Sequence, residues 1–184
     1  MAGRLLGQSA RTWSRMAEGN LAAASQMAWQ SADEVAEQRT LFEKVSGRPT
    51  DESDWRNKVT WAAAVLLALS IEQSLKTLAI LTSTDAGCLK EHDLHLLWLD
   101  IPEECREGVR CELVAFRRRI AGTRLEQAVL SDPDETVFEH RHTFERSRYY
   151  NETGGKRSDD LGHNVDLWQL ALAVNAFVQR VVPV

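Results

Sequence analysis

From about Leu5 to Val45 the chain runs without proline, and apolar residues recur at Trp13, Met16, Leu21, Ala24, Met27, Ala28, Val35 and Phe42. That spacing is close to the helical period. It predicts a long N-terminal helix over 1–47. Forty residues is long for a globular helix, so a break falls most naturally at Gly19-Asn20. Gly47-Arg48-Pro49 ends the segment. The next stretch is the most apolar in the chain: Trp55, Val59, Trp61, Val65, Leu66, Leu69, Ile71, Leu75, Leu78, Ala79 and Leu81, with Ser53 or Asp54 as the cap. Apolar residues on so many faces mark a central buried helix. A short helix over His92–Asp100, closed by Pro102, comes next. A charged helix then runs from Glu103 to about Thr123, and another from Ser131-Asp-Pro-Asp134 to about Tyr150, since proline is tolerated in a first turn. Asn151 to Arg157 reads as a loop around its Gly pair. The final helix runs from Asp159 or Asn164 to Val181. No period-two alternation marks a strand. The expected fold is all-α: an antiparallel bundle of about five helices in one domain over 1–184, with residues 55–182 as its core.

Composition narrows the function classes. The 184 residues carry 22 basic and 27 acidic side chains, a net charge of −5, which argues against coating nucleic acid by charge alone and leaves room for a local basic patch. The six tryptophans (Trp13, Trp29, Trp55, Trp61, Trp98, Trp168) sit on the apolar faces of different helices and read as core. Cys88, Cys105 and Cys111 are odd in number and form no CxxC pair, which argues against a disulfide framework and a cysteine zinc site. His92, His95 and Asp100 have no further ligand at fixed spacing, so no metal or other cofactor is expected. The longest apolar run, Trp61 to Leu69, is far short of the ~20 residues a membrane span needs. With no apolar leader at the start, the expectation is a cytoplasmic protein that does not engage a membrane.

Three pieces of sequence carry a resemblance. The central helix reads Glu72-Gln-Ser-Leu75-Lys76-Thr-Leu78. A loop follows, then Lys90-Glu-His92-Asp93-Leu94 and Ile101-Pro102. Farther on comes Arg148-Tyr149-Tyr150-Asn-Glu152. Their order and spacing resemble the HEPN domain family over roughly residues 55–180. The resemblance implies a four-to-five-helix bundle, frequent homodimers, and roles in RNA cleavage, toxin–antitoxin pairs and phage defence. Some members of the family are not enzymes. In the ribonucleases of the family an Arg and a His with four to six residues between them, near the last helix, form the active site, and Arg157 and His163, with five between, match that pattern here. A neutral imidazole can accept the proton of a ribose 2′-hydroxyl while a guanidinium holds the phosphate as its charge grows. With seventeen Arg and five His in the chain, such a pair arises by chance about once, so its place before the last helix is what gives it weight.

The same residues also read without the family. Glu72 and Lys76 are four apart on one helical face, with Glu N-terminal, the favourable order for an ion pair. In apolar surroundings they form a structural pair, or they face a ligand groove or a subunit interface. Asp93 suits a helix start, and His92 either bonds a neighbouring helix or binds substrate. Arg141, Arg146, Arg148, Tyr149 and Tyr150 form one basic-aromatic cluster, and Arg117-Arg118-Arg119 with Arg124 another. Each could meet an RNA backbone or be a solvated, internally paired face. The candidate residues are therefore Arg157 and His163 for catalysis, and Arg141, Arg148, Tyr149, Lys76 and His92 for substrate. Expected partners are a second copy, RNA, and a cognate antitoxin or other protein. The rival reading is a non-catalytic helical module for dimerisation or for binding a partner or nucleotide, with the Trp13/Met16/Trp29 stripe as a further candidate docking surface.

Overall fold

The computed structural model describes residues 2–28, 32–47, 49–82, 87–120, 132–143 and 164–182. Among them are seven α-helices, one short 3-10 turn and no strand, so the fold is all-α. The helices are α1 (Ala2–Ala28), α2 (Ala32–Ser46), α3 (Glu52–Thr82), α4 (Leu94–Asp100), α5 (Glu103–Ile120), α6 (Pro133–Glu139) and α7 (Asn164–Val181), with the 3-10 turn at Gly87–Lys90.

The centre of the bundle is α3. Every residue from Ser70 to Ile80 is buried, whatever face it occupies, because α1, α4 and α7 pack around it. Leu67, Ile71, Leu75 and Leu78 are almost wholly withdrawn from water. Each contributes about 1.5–3 kcal/mol through its buried area. The stretch Val59–Thr82 is long and apolar enough to cross a membrane, but 78% of its most apolar window is buried inside the fold, as for the core helix of a globular protein.

α1 seats on α3 through small residues. Ala10, Ala17 and Ala24 are spaced by seven and fully buried, and Ser14 is nearly so. Without long side chains between them the two backbones approach closely enough for Ser70 Oγ to donate to Ala17 O at 2.8 Å. Asn20 Nδ2 donates to Gln73 Oε1 at 2.9 Å beside it. α1 also lies along α7. Gln179 bonds Ser14, and Trp168 Nε1 bonds Ser25. Eleven residues forward on α1 match eleven back on α7, so the two helices are antiparallel. Likewise α5 runs antiparallel to α7, with Gly108 against Phe177 and Phe116 against Trp168.

Two helix limits differ from the sequence expectation. The segment 1–47 is two helices, and α1 runs straight through Gly19-Asn20. Asn20 is tied to α3, which offsets the cost of Gly19. The buried small-residue stripe of α1 runs from Ala10 to Ala24. The same stripe places Met16 on the solvent side, 48% exposed, although its spacing read as apolar-facing. The second difference is α6. It ends at Glu139 rather than continuing toward Tyr150; a turn follows at 140–142, and residues 144–150 lie outside the described residues. Arg141 O accepts the Leu94 N–H at 3.3 Å, one of the otherwise orphaned donors of the first turn of α4. Elsewhere the expected signals operate. Asp93 caps α4 by accepting from His95 N and Leu96 N, Asp132 caps α6 with Pro133 in its first turn, and Gly47 at φ 67° closes α2. Trp98 is fully buried, and Trp13, Trp61 and Trp168 are half-buried. Trp29 and the side chain of Trp55 lie outside the described residues.

Candidate functional site

The charged pair on the central helix is a closed ion pair. Lys76 Nζ donates to Glu72 Oε1 at 2.7 Å, with the two side chains 1% and 5% exposed. Both charges are deeply buried, so each depends on the other for compensation. The face of Trp13 approaches Lys76 Nζ, with the ring centroid 5.5 Å away, and supplies part of the second half of the ammonium's shell. His92 adds a third member. Its Nδ1 lies 3.0 Å from the same Glu72 Oε1, which requires a proton on Nδ1, since a carboxylate only accepts. Glu72 Oε2 is buried and has no partner.

His92 is positioned by its own turn. Glu91 Oε1 accepts from the backbone N–H groups of His92 and Asp93, both at 2.8 Å. Asp93 then caps α4, and His142 Nδ1 stands 3.9 Å from Asp93 Oδ2. The two sequence pieces Glu72…Lys76 and His92-Asp93-Leu94, twenty residues apart, therefore meet at one point. Chemically this point holds charge. It does not present the Lys76 ammonium to solvent.

Arg141 is brought to the same end of the molecule. Its guanidinium stacks on Phe138 with 4.0 Å to the ring centroid, and His95 meets the same ring edge-on at 5.2 Å. Phe138, Leu96 and Leu99 are about half exposed on the neighbouring helices α4 and α6. Beneath them, Arg110 joins α5 to α6. It donates to Asp134 Oδ2 at 2.8 Å and to Glu103 Oε1 at 2.6 Å, while Trp98 Nε1 donates to Asp134 Oδ1 at 2.7 Å. Burial alone would raise the Asp134 carboxyl, but the bonds from Arg110 and Trp98 outweigh it and hold the group at about 2. Bonds from Arg110 and Arg106 likewise lower Glu103. The Cys105 thiol is pushed up, mainly by burial. Cys105 and Cys111 are both free. No group of three His, Cys, Asp or Glu converges to hold a metal among the described residues.

The opposite end of the bundle is built by α1, α5 and α7. Trp168, in the second turn of α7, bonds Ser25 and meets Phe116 edge-on at 5.6 Å. Trp13 marks the Lys76 end of α1 and Ser25 the Trp168 end. The twelve residues between them correspond to about 18 Å along the helix. Lys76 and His92 are thus well separated from the start of α7. His163 directly precedes that helix in sequence, but Arg148, Tyr149, Arg157 and His163 all lie outside the described residues.

Sequence reasoning did not single out the buried polar atoms. Ser74 Oγ and both side-chain atoms of Gln169 are buried without a partner, each costing about 1–3 kcal/mol. Single polar letters inside apolar helices give no signal of whether they find a bond. Comparison with protein-family models, with characterised proteins and with solved structures gives no match.

Proposed function

We propose that this chain is an HEPN-like, RNA-directed protein: a metal-independent endoribonuclease, working as a homodimer in a toxin–antitoxin or phage-defence system. What carries this reading is the interlock of the residues behind the resemblance. Glu72 and Lys76 from one piece of sequence and His92 from another meet through Glu72 Oε1. The proposed catalytic pair is Arg157 and His163. In this role neutral His163 takes the proton from a ribose 2′-hydroxyl, the 2′-oxygen attacks phosphorus, and the P–O5′ bond breaks to leave a 2′,3′-cyclic phosphate and a 5′-hydroxyl protonated from water. Arg157 holds the phosphate oxygens as their charge grows. The helix that follows His163, α7, is seated on α1, α3 and α5, which makes it a rigid base for a site.

The test is incubation of mixed RNA in excess EDTA with wild type and with Arg157→Ala/His163→Ala. Cleavage by wild type alone supports the assignment. Equal cleavage by both moves the active site elsewhere.

A second reading, a non-catalytic interaction module, is favoured by a different observation. The described charged motif is consumed internally, while Leu96, Leu99 and Phe138 stand exposed on α4 and α6. Absence of cleavage by either protein, together with a partner that co-purifies and is lost on Leu96→Asp, would favour this module.

A further inference from the structure

The end of the bundle that bears the start of α7 is unlike the rest of this acidic chain. α5 finishes there in Arg117, Arg118 and Arg119, all exposed. Phe116, one residue earlier, touches Trp168, so the three arginines lie within about a turn of the α7 start. Among the described residues, the neighbouring segments carry almost no carboxylate. Residues 20–27 of α1 and 113–120 of α5 contain no carboxylate, and the first two turns of α7 contain only Asp166, which is buried.

The contrast with the other arginines of α5 is sharp. Arg106 and Arg110 are spent on Glu103, Glu107 and Asp134. On the neighbouring α7, Arg180 is spent on Glu112. Among the described residues no carboxylate pairs with Arg118 or Arg119; Arg119 lies over the Phe116 ring, its guanidinium 5.9 Å from the centroid. Cations at a helix C-terminus complement the dipole, but the dipole does not consume their hydrogen-bonding capacity. An exposed guanidinium with five N–H donors and no carboxylate suits a phosphate oxygen pair.

We infer that Arg118 and Arg119 form the substrate-docking surface of this protein, gripping the phosphates of single-stranded RNA beside the start of α7. The inference rests on the RNA-directed reading above. It moves substrate binding away from Lys76 and His92, which lie at the far end of the bundle. It gives a chain of net charge −5 a local pair of exposed guanidinium groups for a polyanion.

The test is fluorescence anisotropy with a labelled single-stranded 2′-O-methyl RNA of about twenty nucleotides, which lacks the 2′-hydroxyl needed for cleavage, titrated across a salt series. Two phosphate contacts on a single strand contribute about 1.4 to the slope of log K against log salt. Arg118→Ala/Arg119→Ala should lower the slope by that amount and weaken binding about tenfold, whereas Arg118→Lys/Arg119→Lys should keep most of the slope. The exposed pair Arg11→Ala/Arg15→Ala, on the half of α1 that faces the other end, should leave it unchanged. An unchanged slope in Arg118→Ala/Arg119→Ala, or an equal loss in the α1 pair, overturns the inference. If wild type still cleaves unmodified RNA in that case, the ribonuclease reading survives alone. If wild type neither binds nor cleaves RNA, both fall.

Discussion

The Glu72–Lys76 pair sets up a double-mutant cycle with an unusual expected pattern. At 2.7 Å the gross attraction is about 6 kcal/mol for an effective dielectric of ~20. Most of that is offset by taking two ions out of water, so the pair adds little net stability. Its removal by halves is another matter. Lys76→Met leaves a carboxylate that is 5% exposed, with one oxygen already unpartnered and only His92 beside it. Glu72→Leu leaves an ammonium that is 1% exposed, held only by the Trp13 face. Each single variant should lose about 3–5 kcal/mol, a large share of the ~5–15 kcal/mol that holds a domain of this size. The double variant Glu72→Leu/Lys76→Met removes both charges at similar volume and should return to within about 1 kcal/mol of wild type.

Urea unfolding followed by circular dichroism, with equal m-values across the set, is the assay. If a single variant is too unstable to purify, recovery of a folded double variant still reports the coupling. A Lys76→Met loss under about 1 kcal/mol would refute the reasoning, because the charge would then be solvated by a route absent from the structure. So would a double variant as damaged as the sum of the singles. Under the RNA-directed proposal the double variant should also bind RNA as wild type does, since the pair lies at the end of the bundle opposite the proposed docking surface.

Two further outcomes follow from the α5 contacts. A Cβ added at Gly108 would stand 2.2 Å from Phe177 Cε2, so Gly108→Ala must displace that ring. The cost of repacking, about 1–3 kcal/mol, exceeds the helix-propensity gain of ~1 kcal/mol. Thermal melts should show net destabilisation that turns into a gain in a Phe177→Val background, where the clashing atoms are gone; a loss in both backgrounds would show that the ring is not the obstacle. Asp134, at about 2 in the folded state against an ordinary 3.8, contributes stability that is complete above the unfolded value and disappears as pH falls toward 2. Its side chain is 43% exposed, so solvent screening leaves about 1 kcal/mol. Unfolding free energies between pH 5 and 2 should therefore fall less steeply for Asp134→Asn than for wild type, and parallel curves would remove the Arg110–Asp134 bond from the account.

Much of this protein was legible in the chain because helices are written locally. The apolar run on all sides of α3 needs no knowledge of neighbours to be read as a buried helix, and Asp93, Asp132-Pro133 and Gly47 act within their own turns. The Glu72…Lys76 spacing already makes the pair adjacent on one face, whatever surrounds it. What the tertiary structure alone decided is which face turns inward and where distant segments meet. The packing face of α1 is Ala10, Ser14, Ala17 and Ala24, and Met16 is left in water, because close backbone approach to α3 favours small residues over large apolar ones. α6 stops at Glu139, and just beyond it the Arg141 carbonyl serves a donor on α4, a bond between residues forty-seven apart in sequence. His92 joins Glu72 across a loop, and antiparallel packing of α5 on α7 sets three arginines beside the start of the last helix. Local periodicity cannot encode these meetings. They depend on the relative rotation and direction of whole helices, which are chosen by the total buried area and the satisfaction of polar groups across the bundle.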